Sequence, residues 1–122
     1  MRSSVAALAA FACIGSVGAA DSSNYQMRDG ADLVSICSVD ASDANYANAV
    51  GFCHGVLTGA FRYYEATATS ANRFVCAPKP VPTRAKVMND FVIWARSHSA
   101  ALKEPAVDAL FRYLAETYPC KR

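Results

Sequence analysis

"GFCHGVLTGAF", residues 51–61, carries the periodicity that decides the fold. Cys53, Leu57 and Phe61 recur every four residues; Tyr46 and Val50 extend the row backwards and Tyr64 extends it forwards. That spacing is the apolar face of an amphipathic helix, and the pattern runs from about Ala44 to Thr67. The same stretch holds Gly51, Gly55 and Gly59. Each glycine costs a helix interior about 1 kcal/mol relative to alanine. The three fall on a second face, continued backwards by Ala47, and leave a shallow groove without side chains. Small residues at this spacing let a neighbouring backbone approach closely. The expectation is internal helix packing on Gly51, Gly55 and Gly59, with a subunit contact as the alternative. A phosphate-binding loop does not fit: the spacing is not G-x-G-x-x-G, no lysine follows and no strand precedes.

Outward from this helix the chain reads as further helices. On the N-terminal side, residues 21–28 read as a loose segment. Asp29 can then cap a short helix with Asp32 in its first turn and Leu33, Ile36 and Cys37 on its apolar face. "SVDASD" is a polar turn, and Ser42 or Asp43 is positioned to cap the long helix. On the C-terminal side, "TATSANR" is a polar break. "CAPKPVPT" holds three prolines in eight residues and reads as an extended connector. Thr83 caps a third helix running to about Ser97, with Val87, Phe91, Trp94 and His98 as its inner stripe and Met88 and Val92 alongside. "SHSAALKE" is a short link. Pro105 suits the first turn of a fourth helix. Val107, Leu110, Phe111, Leu114 and Tyr118 make that helix's core face, and Pro119 ends it. No stretch reads as a strand or a hairpin turn, and there is no internal repeat. The fold class expected is all-α, a small bundle of about four helices stapled by disulfides.

The opening twenty residues are set apart by composition. Arg2 is followed by an uncharged run from Ser3 to Ala20, closing on Val17-Gly18-Ala19-Ala20 before Asp21. This is the pattern of a secretory signal peptide with a small-residue cleavage site. A membrane anchor would need about 20 mostly apolar residues, and here the strongly apolar part is only Val5 to Val17. Phe11 and Ala12 before Cys13 do not make a lipoprotein signal. The reading is residues 1–20 as a cleaved signal, 21–122 as one domain with one core, and a periplasmic location. Without Arg2, eleven basic side chains face ten acidic ones. No basic block points to nucleic acid, and the mature chain has no apolar run long enough to span a membrane.

Cysteine usage agrees with export. Cys13 leaves with the signal, and Cys37, Cys53, Cys76 and Cys120 remain. Four cysteines in an oxidising compartment read as two disulfides. A zinc site is disfavoured, because no pair has C-x-x-C spacing and His54 and His98 stand far apart in sequence. A short link between the third and fourth helices makes them antiparallel neighbours. That returns Cys120 towards Cys76, so the expected pairs are Cys76–Cys120 and Cys37–Cys53.

Catalytic constellations do not emerge. Cys53 and His54 are adjacent, so on a helix they point about 100° apart. His54 reads as a surface or rim residue, and His98 as a helix C-terminal residue that suits the dipole. Glu65, Glu104, Asp108 and Glu116 read as solvated helix faces. The expectation is a protein that is not an enzyme and takes no cofactor or metal.

Four segments carry a family resemblance. They are "GADLVSIC" (30–37), "FCHGVLTGAF" (52–61), "CAPKPVPTRAKVMNDFVIWARSHS" (76–99) and "PAVDALFRYLAETYPC" (105–120). In this order they resemble the Rap/Tai family of immunity proteins, over essentially the whole mature domain. The closing Tyr-Pro-Cys after an amphipathic helix is the most specific of these matches. The chain departs from the family pattern at His98-Ser99.

The resemblance implies a small helical periplasmic protein that binds and inhibits a peptidoglycan amidase toxin delivered by type VI secretion. The implied partner is a cognate amidase effector, and some members of the family form homodimers. The alternative is an HdeA-like periplasmic chaperone, or another exported helical binding protein of unknown partner. The partner surface expected is the polar link Ser97 to Glu104, where Arg96, His98, Lys103 and Glu104 offer charged contacts, with the Thr67–Arg73 loop second.

Overall fold

The computed structural model describes residues 20–121. The signal reading falls on residues 1–20, of which 1–19 lie outside the described residues. Four α-helices follow one another: α1 (Gly30–Cys37), α2 (Tyr46–Thr67), α3 (Arg84–Arg96) and α4 (Ala106–Thr117). Asp29 caps α1 by accepting from the Asp32 amide at 2.9 Å, and the Thr83 hydroxyl caps α3 by accepting from the Lys86 amide at 3.2 Å. α2 begins on Asn45, which makes no side-chain cap. Asp43 instead organises the preceding turn, where its carboxylate accepts from the Asn45 amide at 2.7 Å. Its carbonyl accepts from the Tyr46 amide at 3.0 Å. Pro105 stands immediately before α4, where its missing N–H costs nothing.

The core gathers one face of each helix. Leu33, Ile36, Cys53, Phe91 and Leu110 are fully enclosed, with Leu57, Met88, Val92, Tyr113 and Leu114 around them. Burying side chains of this size contributes about 1.5–3 kcal/mol each. α4 is rotated from its expected face. Ala106, Ala109 and Tyr113 are buried with Leu110 and Leu114, while Val107 is 44% exposed. Enclosure pushes the Tyr113 phenol well above its ordinary pKa, so the ring is a neutral core residue packed edge-on against Phe91.

Two disulfides close the fold, Cys37–Cys53 and Cys76–Cys120. The first joins α1 to α2. The second joins the connector to the residue after Pro119, where a single β-bridge pairs Val75 with Pro119. The Cys76 amide donates to the Tyr118 carbonyl at 2.9 Å and the Cys120 amide to the Phe74 carbonyl at 3.3 Å.

Residues 21–28 are not loose. Ser22–Gln26 form a 3-10 turn capped by Asp21. The buried carboxylate of Asp32 then gathers the segment. It accepts from the Arg28 guanidinium at 2.9 and 3.0 Å, from the Arg28 amide at 3.0 Å and from the Asn24 amide group at 3.0 Å. These bonds, the Arg28 guanidinium first among them, hold its pKa well below the usual carboxylate range.

The glycine row on α2 is the principal correction. A Cβ added at Gly51, Gly55 or Gly59 would meet no atom within 4 Å, and all three glycines are exposed. The row therefore faces away from the bundle, because Cys53 and Leu57 already turn the opposite face of α2 inward. The glycine on which two backbones do meet is Gly30, where a Cβ would collide with the carbonyl of Ala101.

Candidate functional site

The link between α3 and α4 begins at the C-cap Ser97. A hydroxyl suits this position, since the Ser97 Oγ donates to the Trp94 carbonyl at 2.9 Å and occupies one of the orphan acceptors of the helix end. The imidazole of His98 does the same from Nδ1, at 2.7 Å from the Trp94 carbonyl. A carbonyl can only accept, so Nδ1 carries the proton, and Nε2 faces the Glu116 carboxylate at 3.8 Å. The ring lies flat on Trp94, with centroids 4.2 Å apart and planes 15° apart. The Trp94 indole N–H donates to the same Glu116 carboxylate at 2.7 Å. Glu116 on α4 thus fixes both aromatic rings at the end of α3.

Beyond His98 the chain makes a 3-10 turn, Ala101–Lys103. Ala101 is buried against Gly30, and Leu102 packs on the core. The Gly30 amide donates to the Glu104 carbonyl at 2.8 Å, and the Glu104 side chain binds Arg112 at 2.5 Å. Apolar anchors hold the inner side of the link. Arg96, Ser97, Ser99, Ala100 and Lys103 are left on its outer side, exposed to solvent.

The sequence-predicted contact residues divide accordingly. Arg96 and Lys103 are exposed and make no ion pair among the described residues. His98 and Glu104 are half-buried and already engaged, His98 by Trp94 and Glu104 by Arg112. Trp94, Arg112 and Glu116 escaped the sequence reading as parts of this site. Trp94 lies in the last turn of α3 and His98 two residues past its end, four apart in sequence and so within local reach, but nothing in the sequence brings Glu116 from α4 to meet them.

The Thr67–Arg73 loop is also ordered. Asn72 Oδ1 accepts from the Thr69 amide at 2.6 Å, and the Arg73 amide donates to the Thr69 carbonyl at 3.0 Å. The guanidinium of Arg73 lies 6.0 Å from the centre of the Tyr64 ring. The Tyr64 hydroxyl accepts from the Phe74 and Val75 amides at 2.7 and 2.9 Å. This loop runs into Phe74, which is bonded to the far end of α4 at Cys120, whereas the Ser97–Glu104 link leads into the first turn of α4.

Cys53 is in a disulfide, so no thiol stands beside His54. The Nε2 of His54 is enclosed without a hydrogen-bond partner. Among the described residues no three His, Cys, Asp or Glu side chains are arranged to hold a metal ion, and no helix is long and apolar enough to cross a membrane.

Fold and site together define a disulfide-stapled, all-helical domain that presents a rigid polar link between its last two helices. A family model for Rap1a immunity proteins matches residues 29–120, and the chain belongs to that family. The matched region opens on the α1 cap Asp29 and closes on Cys120, so it takes in all four helices and both disulfides. No curated protein and no solved structure matches the chain.

Proposed function

We propose that this is a periplasmic immunity protein that binds a peptidoglycan amidase toxin delivered by type VI secretion and blocks it without chemistry of its own. Membership of an immunity family supports the class. The observation that carries the site is the state of the α3–α4 link, whose backbone is bonded to α1 and whose Glu104 side chain binds Arg112 of α4, while Arg96, Ser99, Ala100 and Lys103 project outward. A loop ordered before binding enters a cleft with little further entropy loss. Ser99 and Ala100 are small enough for a narrow active-site cleft, and Arg96 and Lys103 supply flanking cationic contacts. His98 and Glu104 shape the link from within, and the Thr67–Arg73 loop is a second contact.

Export supports the same reading. Residues 1–20 have the pattern of a cleaved signal, residues 21–122 form the mature domain, and paired cysteines suit an oxidising compartment. The open glycine row of α2, flanked by the exposed Tyr63, favours a second copy of the chain as its neighbour. Gly55→Leu then dissociates a dimer in sizing experiments without unfolding the monomer.

The test is periplasmic co-expression with each amidase effector encoded in the same genome. One effector is neutralised by the native chain and escapes Ser99→Trp and Lys103→Glu. If the purified protein binds none of them and neutralises none, the reading fails.

A further inference from the structure

Between α2, α3 and α4, the packing leaves an open cleft of about 290 Å³. Its walls are apolar: Leu57 and Phe61 of α2, Val75 of the connector, Val87 of α3, and Leu110 and Leu114 of α4. Arg62, Glu65 and Arg84 are the charged residues that line it. Arg62 is bound to Glu65 at 2.7 Å. Arg84 is exposed and has no carboxylate within ion-pair distance among the described residues. The rim therefore carries one uncompensated positive charge. Arg84 is also the first residue of α3, whose first-turn N–H groups add partial positive charge at the same place.

An apolar cleft with a few polar groups at one side is the usual form of a small-molecule site. Its apolar walls offer water few hydrogen-bond partners, so a hydrocarbon occupant is favoured over solvent. We propose that the cleft binds a single-chain carboxylate amphiphile, with the alkyl chain against Phe61, Val87 and Leu114 and the carboxylate on Arg84. The guanidinium is suited to this head group because its fork can match both carboxylate oxygens. The site is separate from the toxin surface proposed above: Arg84 opens α3 and the link leaves its other end, about 18 Å away along the helix.

The purified full-length protein is titrated with decanoate, decanol and decyltrimethylammonium, each below its micelle concentration, with methyl NMR of Val87, Leu110 and Leu114 as the readout. Decanoate shifts these methyls in a saturable way. Decanol binds about tenfold more weakly or worse, as loss of a charge-assisted contact requires, and the cation does not bind. Arg84→Glu, on the surface, weakens decanoate by at least the same factor while leaving the melting temperature unchanged. Thr58→Trp, on the half-buried α2 side of the cleft, blocks binding outright. The proposal is overturned if decanoate leaves the methyls unmoved, if decanol binds as well as decanoate, or if Arg84→Glu binds decanoate with native affinity.

Discussion

The amide of Gly30 donates to the carbonyl of Glu104 across 2.8 Å, so the first residue of α1 and the last residue of the α3–α4 link share one hydrogen bond. The contact requires glycine, since a methyl group at position 30 would strike the Ala101 carbonyl. Gly30→Ala should therefore destabilise the protein by about 1–3 kcal/mol through overpacking. Gly55→Ala should do the reverse in the monomer and add up to about 1 kcal/mol, because within one copy its Cβ enters open space on a helix. Urea melts of the two variants should move in opposite directions; a shift of the same sign in both would refute the placement.

Asp32 sets the acid limb of stability. Its folded-state pKa lies below the ordinary carboxylate value of about 3.9. A depressed pKa means the charged form is favoured by folding. That stabilisation is complete above the ordinary value and is lost progressively as pH falls below it towards the folded-state pKa. Asp32→Asn should cost about 1–3 kcal/mol at neutral pH, and the gap between the native and variant unfolding curves should narrow in acid. A gap independent of pH would show that the ion pair contributes nothing specific. Dye-binding apolar surface that already appears at about pH 5, above the ordinary aspartate pKa, would favour the chaperone alternative.

The two disulfides should contribute unequally. They close loops with sequence separations of 16 and 44. The chain-entropy relation assigns about 3 kcal/mol to the first and about 4 kcal/mol to the second. Replacing Cys76 and Cys120 together by serine should lower the denaturation midpoint more than replacing Cys37 and Cys53. The opposite order would mean that folded-state strain or residual structure outweighs loop closure.

Glu116→Ala should loosen the link more than it destabilises the fold. Glu116 is exposed, so loss of its contacts costs at most about 1 kcal/mol. It is nevertheless the shared acceptor that fixes Trp94 and faces His98. Hydrogen exchange should rise at the amides of His98 and Ala101 while the amides of α1 remain protected. Unchanged exchange at those two amides would show that Gly30 and Ala101 hold the link without help from α4.

The helices were legible because their apolar positions recur at helical spacing and three of them have local punctuation. Asp29, Thr83 and Pro105 each mark a start through chemistry confined to one turn. The disulfide pairing was legible for a similar reason: the end of α4 returns to the connector that precedes α3, where Cys76 meets Cys120. What escaped depends on partners distant in sequence. Gly51, Gly55 and Gly59 have the spacing of a packed face, but spacing cannot say whether anything packs there. Gly30 stands alone, with no pattern to mark it. Val107 is more apolar than Ala106, yet α4 turns the smaller residue inward, together with Ala109 and Leu110. Glu116 looked like a solvated helix face until the fold placed Trp94 beside it.

The disulfides join neighbours in sequence, first cysteine to second and third to fourth among those described. Neither covalent loop encloses or crosses the other. If residues 1–20, which hold Cys13, are removed as proposed and the chain meets an oxidant from its N-terminal end, Cys37 and Cys53 can react before Cys76 arrives, so the order of emergence favours the native bond. Exchange through mixed-disulfide intermediates, which takes seconds to hours, is not required to correct it. The order of the cysteines along the chain thus serves as an assembly schedule, and removing a disulfide isomerase should leave the yield of correctly bonded domain unchanged.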